Sequence, residues 1–497
     1  MTAPAASQQG SAAASGLAVA GAITTMVANF GIAWLVSTGG AGLTGVFFVT
    51  TAIIAIASNG SCLGTMTGMV YFLPRTLADP QPNPRGLLVT ALRPVILVSS
   101  AITLLLLVAA PFIADVVAAD SAAAASTMLR IMAFAVVPWA VTVTLLGATR
   151  GLGSMTPTAG IGQVLRPGLQ IVLLAVVFAL DRTPPAATVA VAWLIPVMIG
   201  LVVAVWSVRR LGGFRTSDTS PVEPREFWSY TRPRAASTAL QIALERLDVV
   251  IVGALIGTGP AGVYGALTRY VTAGNFLIFS IGQAVSGHLR RAVVAQNWDR
   301  AGMLLKQATG WLVLLAWPYF LLVGAQPKPL ARLLSADYVG EAHILTILVF
   351  GMLFSAAAGP IDLTLLMLGR SAASLAAVAA AIVTDLLLLA VLAKPFGLTG
   401  AAIAWAVSVV VQNSIASVLV YRDTGLRAWS SRSTTAALVA VVATVPALFI
   451  GGTAFAGLVA AAALAGLIML AAVALLHRQL GLDELLPQRL LSRLPGF

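Results

Sequence analysis

Apolar runs of about 20 residues, each long enough to cross a bilayer core of ~30 Å as a helix, recur from one end of this chain to the other. That repetition constrains the fold more than any single motif. In lipid every backbone polar group must be satisfied within its own segment, so helices are the expected spanning element. The runs fall at roughly 16–37, 46–73, 90–114, 127–148, 157–180, 186–208, 236–257, 262–287, 307–325, 343–369, 372–393, 399–421, 434–452 and 456–476. A barrel would read as short alternating strands, and none appear. Apolar residues make up 59% of the chain and charged residues 9%, against roughly 25% charged in soluble domains. The expected fold class is therefore an all-α polytopic membrane protein of about 14 transmembrane helices.

An even number of spans puts both termini on one side, and the placement of Lys and Arg says which. Twenty-one of the 29 basic residues fall on one set of loops and the C-terminal tail, from Arg75, Arg85 and Arg93 to Arg489 and Arg493. The opposite side holds Arg182, Lys328, Arg332 and Lys394, with Arg130 near that edge. The expectation is a bacterial inner-membrane protein with both termini cytoplasmic. The net charge of +12 is then a topology signal and does not mark a nucleic-acid partner. Residues 1–15 carry no Lys or Arg, so the first run reads as a retained anchor and not a cleaved signal.

The longest hydrophilic stretch, 209–235, reads as a linker between halves. An internal repeat supports this: Leu35–Gly45 aligns without gaps on Leu255–Gly265, with six of eleven pairs identical at an offset of 220. The same offset pairs Leu145, Leu146 and Arg150 with Leu365, Leu366 and Arg370. The expected organisation is two pseudo-symmetric six-helix lobes, 1–208 and 236–421, joined by the cytoplasmic linker 209–235 and followed by an extra helix pair and tail, 422–497. Parallel repeats of this kind pack about an axis along the membrane normal, with the substrate path between them.

Glu245-Arg246-Leu247-Asp248, Ile251-Val252-Gly253 and Ala261-Gly262-Val263-Tyr264, with Arg269 shortly after, resemble the seventh and eighth helices of Wzx-type polysaccharide flippases. Gly397–Ala404 and an amphipathic run from Val293 to Leu305 fit the same family. It belongs to the MOP superfamily, with the MATE exporters and the lipid II flippases. The resemblance is best over 235–422. It implies alternating-access translocation of a polyprenyl-pyrophosphate-linked oligosaccharide from the cytoplasmic to the outer leaflet, for cell-surface polysaccharide biosynthesis. Membrane lipids, a polysaccharide polymerase and glycosyltransferases are the partners it implies. Lipid II flippases carry arginines in the first helix, whereas 16–37 here has no charge, which points away from lipid II.

Ionisable residues inside spans are costly and by default face a cavity or a partner. Arg166, Glu245, Arg246, Asp248, Arg269, Asp362 and Asp385 qualify. Asp248 and Arg269 lie ~13 and ~11 Å below the same end of neighbouring helices at ~1.5 Å per residue. They read either as an ion pair or, for Arg269, as a substrate contact. Arg166 precedes Pro167 and Gly168, a helix kink near mid-span; it either faces an anionic substrate, snorkels towards the interface or pairs across the lobes. Arg246 is the third candidate for the pyrophosphate. Glu245, Asp362, which follows a second expected kink at Gly359-Pro360, and Asp385 are either ion-coupling or structural carboxylates. Asn29 and Asn59, with Ser58 and Ser61, form a polar patch that either joins helices or meets sugar hydroxyls.

There is no GxxxxGK[ST], no HExxH and no paired-cysteine site, since Cys62 stands alone, so no cofactor, metal or catalytic residue is expected. A membrane glycosyltransferase or polymerase would need a sizeable outer domain, and the longest outer loop, Gln326 to Ala342, is too short for one. The reading is a lipid-linked oligosaccharide flippase; the alternative is a cation-coupled, MATE-like small-molecule exporter in which the carboxylates matter most.

Overall fold

The structure, a computed structural model, describes residues 21, 24–79, 82–215, 223–449 and 455–480. Readings that concern 1–20, 216–222 and 481–497, including both termini and the tail arginines, lie outside them. No strand occurs among the described residues. The chain divides into two compact units, Met1–Ala266 and Leu267–Phe497.

The first unit opens with α1 (Thr24–Ser37), α2 (Ala41–Gly60) and α3 (Thr65–Leu77). The run expected at 46–73 as one span is thus broken. Leu63 (φ 50) and Gly64 (φ 70) are left-handed, which stops a right-handed helix. Short polar side chains take up the interrupted ladder. Ser61 Oγ donates to the Ala57 carbonyl at 2.6 Å and Thr65 Oγ1 to the Cys62 carbonyl at 2.7 Å. Next come α4 (Pro84–Val117), α5 (Ala122–Ala133) and α6 (Val136–Gly151). Asn83 Oδ1 caps α4 by accepting from the Gly86 amide at 2.9 Å, as an N-cap should. A π-helical segment, Thr158–Leu165, leads into α7 (Arg166–Leu180), and α8 (Ala186–Arg210) follows.

The stretch expected as linker is helical in its second half, because α9 runs from Pro224 to Ile256. Pro224 sits in the first turn of that helix, where a missing N–H costs nothing. Gly64 and Gly68 then let α9 dock on α3: a Cβ on Gly68 would meet Phe227 and Thr231, and one on Gly64 the backbone of Thr231 and Ala235. Phe227 is fully buried there with Met69, Phe72, Leu73 and Val208.

The repeated segments pack on each other. Each forms a turn between helices, with Gly40 (φ 91) in one and Gly257 (φ 118) in the other, and α10 (Thr258–Val294) starts from the second. A Cβ on Gly45 would strike the Thr258 carbonyl, and one on Gly262 the Ala41 carbonyl. The backbones therefore touch where other residues would hold them apart. Asp120, in the short connection Ala119–Ser121, accepts from Thr258 N at 3.0 Å and Thr258 Oγ1 at 2.8 Å. It supplies the cap that the start of α10 needs.

The second unit contains the rest of α10, then α11 (Trp298–Ala325), α12 (Pro327–Leu334), α13 (Ile344–Ala358), α14 (Ile361–Met367), α15 (Ser371–Thr424), α16 (Ser431–Phe449) and α17 (Phe455–Leu480). The stretch expected to be amphipathic, Val293 to Leu305, contains a sharp turn: Gln296 has φ 53, and Asn297 caps the start of α11 through the Arg300 amide at 3.0 Å. The kink expected after Gly359-Pro360 is a 43° bend between α13 and α14. At ~1.5 Å per residue, α15 would be far longer than a bilayer is thick. It breaks at Gly397 (φ 57, ψ −136), beside a turn tight enough that a Cβ on Gly400 would meet the Leu392 carbonyl.

Among the described residues, seven helices are long and apolar enough to cross a membrane, or eight when α13 and α14 count as one bent span. Their apolar side chains do not all turn inward. Along α4, Leu97, Leu104, Leu105, Val108 and Phe112 are largely exposed, a face that lipid can cover and water cannot without cost.

Candidate functional site

A regular helix needs no side chain to satisfy its backbone, so irregular backbone inside a span marks a place where something else does. Among the described residues the first unit has such places at the Leu63-Gly64 break, at the Phe134-Ala135 turn between α5 and α6, and at the π-helical turn before α7. At the last, Pro167 has no N–H to give to the carbonyl four residues back, that of Gln163. Thr25 Oγ1 of α1 donates to that carbonyl at 3.1 Å. Arg150, at the end of α6, donates from Nε to Thr158 Oγ1 at 3.1 Å. The sequence signal for a kink at Pro167-Gly168 therefore becomes a widened turn supported from two neighbouring helices.

Arg166 lies at the end of this turn. Its guanidinium carbon sits 3.9 Å from the centroid of the Trp139 ring, and Trp139 stacks on Trp193 of α8 at 6.4 Å with an interplanar angle of 15°. Gln170, one turn on, donates to the Trp193 carbonyl at 3.3 Å. A desolvated cation–π contact stabilises by about 2 kcal/mol, which offsets only part of the cost of a cation at this depth. Two polar atoms stay unanswered: Arg166 Nε and Gln163 Oε1 are both buried with no hydrogen-bond partner. Each such group costs roughly 1–3 kcal/mol. Among the described residues the Arg166 side chain forms no ion pair and no hydrogen bond. A donor and an acceptor three residues apart, beside paired indole faces, can take an anionic oxygen and the polar groups attached to it.

The other expected site residues are dispersed. Asn29 is exposed on α1, and Asn59 turns back to donate to the Ala55 carbonyl of its own helix at 2.8 Å. Ser58 is buried with an unanswered hydroxyl, while Ser61 serves the helix break. On α9, Glu245 is exposed, Arg246 half-buried and Asp248 buried; Asp248 Oδ1 accepts from the Val249 amide at 2.7 Å. In the second unit Arg269 is half-buried on α10, Asp362 on α14 accepts from Ser374 Oγ at 2.6 Å, and Asp385 is buried on α15. Within the first unit Arg166 forms no hydrogen bond or ion pair with Asn29, Asn59, Glu245, Arg246 or Asp248. The residues around the π-helical turn, Trp139 under the Arg166 guanidinium, Trp193 stacked on Trp139, and Gln163 and Gln170 on either side of Arg166 in the chain, carry no signal of the arrangement in their spacing across helices. Only the Gln163–Arg166 spacing of three, which places both on one helix face, could have pointed to one of them.

The arrangement of helices is shared with three solved transporters. A lipid II flippase MurJ in an inward closed conformation gives a TM-score of 0.73 at 14% identity, covering 93% of this chain and 99% of that one. An inward-facing multidrug resistance MATE family transporter of the MOP superfamily gives 0.66 at 18% identity, covering 81% and 94%. A MOP superfamily transporter from Pyrococcus furiosus, described as having a binding pocket of reverse polarity, gives 0.52 at 16% identity, covering 82% and 95%. The fold is that of the MOP superfamily, all-α and multi-pass. Residues 9–286, more than half of the chain, match the polysaccharide biosynthesis protein family. The chain belongs to that family. No curated protein matches the sequence.

Proposed function

We propose that this protein is a flippase that carries a polyprenyl-pyrophosphate-linked oligosaccharide from the cytoplasmic to the outer leaflet of the bacterial inner membrane by alternating access. In this reading about fourteen spans form two six-helix lobes and a C-terminal pair, and both termini are cytoplasmic. A polysaccharide polymerase and glycosyltransferases work on the same lipid-linked glycan. The observation that carries the reading is the Arg166 guanidinium, buried at Nε, held over Trp139 and free of any carboxylate among the described residues. A cation kept in that state is complementary to an anionic head group, and family membership narrows the head group to one used in polysaccharide biosynthesis. Arg246 and Arg269 remain the further candidates for phosphate contact, with Asn29 and Asn59 for sugar hydroxyls.

Arg166→Gln removes the charge and leaves the protein at normal membrane levels. Charge-assisted hydrogen bonds contribute about 1.5–3 kcal/mol each, so translocation measured as lipid-linked oligosaccharide reaching the outer leaflet slows by roughly 10- to 100-fold. Arg166→Lys keeps part of the rate, because charge survives but the planar fork does not. Parent-rate transport by Arg166→Gln overturns the assignment. The second reading, a cation-coupled exporter, draws on the buried carboxylates Asp248 and Asp385. It requires Asp248→Asn or Asp385→Asn to abolish proton- or sodium-dependent efflux of a small cation while Arg166→Gln leaves that efflux intact.

A further inference from the structure

The end of α3 and the start of α9 carry the same five-residue pattern. Tyr71-Phe72-Leu73-Pro74-Arg75 and Tyr230-Thr231-Arg232-Pro233-Arg234 both read Tyr-x-x-Pro-Arg. Their spacing of 159 residues is unrelated to the repeat offset of 220, so duplication of the halves does not explain the match. The structure brings the two together. Tyr71 and Tyr230 stack at 4.3 Å with an interplanar angle of 15°. Arg75 lies over Tyr71 at 3.9 Å and Arg234 over Tyr230 at 3.8 Å. A ring stacked on one face at that distance leaves only the other for a cation. The order is therefore guanidinium, ring, ring, guanidinium. The stack rests on the buried pair Phe72 and Phe227, 5.6 Å apart, and Arg234 Nη1 also donates to the Tyr230 carbonyl at 2.9 Å.

Both arginines are exposed, and among the described residues neither forms an ion pair. Like charges placed on one small platform repel each other, and among the described residues no ion pair offsets that repulsion. Each guanidinium keeps most of its N–H edge open while one face is held by a ring, the geometry that favours bidentate binding of a phosphate. Tyr71 and Arg75 belong to the last two turns of an apolar span, where tyrosines mark the level of lipid head groups. At the same end of the first unit, Arg210 lies over the exposed Trp206 at 5.3 Å and Arg209 over Phe214 at 5.9 Å. The nearest phosphates to such a platform are those of the bilayer itself. With layers of 3.9, 4.3 and 3.8 Å between them, the two guanidiniums are too far apart to share one phosphate.

We propose that the paired Tyr-x-x-Pro-Arg motifs form a binding site for phosphate-bearing lipid head groups at the basic face of the membrane, one head group to each arginine. The site shares no residue with the surroundings of Arg166. The test uses the full chain in detergent, titrated separately with phosphatidylglycerol, phosphatidylcholine and undecaprenyl pyrophosphate, with bound lipid counted by native mass spectrometry. An anionic lipid should bind at least tenfold tighter than phosphatidylcholine. Arg75→Gln combined with Arg234→Gln should bring that preference to within twofold, and Tyr71→Phe with Tyr230→Phe should keep it, since the rings remain. Arg75→Lys with Arg234→Lys, which retains the charges and so guards against a folding defect, should keep some preference but less than the parent. A loss confined to phosphatidylglycerol assigns the site to bulk lipid, and a loss confined to undecaprenyl pyrophosphate assigns it to the carrier's head group. Unchanged preference in the double Gln variant for both lipids, or no preference in the parent, overturns the proposal.

Discussion

The crossing of the two repeat segments and the surroundings of Arg166 lie in the same unit and are built on opposite principles. At the crossing, side chains are reduced to hydrogen so that backbones meet, at Gly45 against Thr258 and Gly262 against Ala41. The capping carboxylate of Asp120 there has both of its Thr258 donors in place. Around Arg166 the side chains are among the largest available, and a buried donor and a buried acceptor have no partners. Close packing with every polar group answered is what a finished interface looks like. A place where a charged donor and an amide acceptor are both buried and unanswered, three residues apart, is where a ligand supplies the missing half. The contrast yields an order of effects on stability, with transport running the other way.

The largest effect belongs to the crossing. Gly45→Leu drives a side chain into the Thr258 backbone, which cannot give way as a flexible side chain would, and overpacking of this kind costs about 1–3 kcal/mol or more. Gly262→Leu should behave alike against the Ala41 carbonyl. Thermal unfolding of the purified chain should show both variants melting well below the parent, with reduced membrane yield. A Gly45→Leu variant that melts with the parent would mean the helices are not in contact there, and the comparison would lose one of its sides. The next effect is smaller. Asp120→Ala removes the acceptor for Thr258 N and Thr258 Oγ1 together, a loss of roughly 1–3 kcal/mol, while Asp120→Asn keeps one acceptor oxygen and should lose less than half as much. Equal losses in the two variants would show that the carboxylate acts through its charge on the start of α10 and not through the pair of hydrogen bonds.

How far these regions could be read from the sequence follows from what each depends on. The helices were legible because lipid forces one solution on an apolar run, and the repeat because Gly, Thr and Ala recur in register at both turns. Gly39-Gly40 and Gly257-Thr258 announce turns, but nothing in either copy says that one packs on the other. The break in the second span was missed because no proline marks it. Leu63 at φ 50 is a residue type that rarely takes that conformation, held there by Thr65 and Ser61 only once the fold exists. The helical second half of the 209–235 stretch carries no apolar signal, and Pro224 occupies the one helical position that suits it. Arg166 was singled out by charge and depth alone. Trp139, Trp193 and Gln163 are ordinary apolar-span residues until α6, α7 and α8 bring them together, and contacts between helices are what hydropathy and periodicity do not encode.

The smallest expected change in stability is also the sharpest test of the surroundings of Arg166. Gln163→Leu replaces an amide whose Oε1 is buried without a partner by an apolar side chain of similar size. Removing an unanswered buried acceptor takes away its desolvation cost of roughly 1–3 kcal/mol, and loses only whatever the amide nitrogen contributes. The backbone carbonyl of Gln163, which Thr25 serves at 3.1 Å, is untouched. Unfolding should therefore be unchanged or shifted upward by up to about 1 kcal/mol, the opposite sign from Gly45→Leu. If the acceptor exists for the cargo, the stabilised variant should translocate more slowly, since sites that bind ligand commonly trade stability for function. A Gln163→Leu protein that is destabilised by ~2 kcal/mol or more would show that the amide is already answered within the fold. The distinction between a finished crossing and unfinished surroundings at Arg166 would then fail.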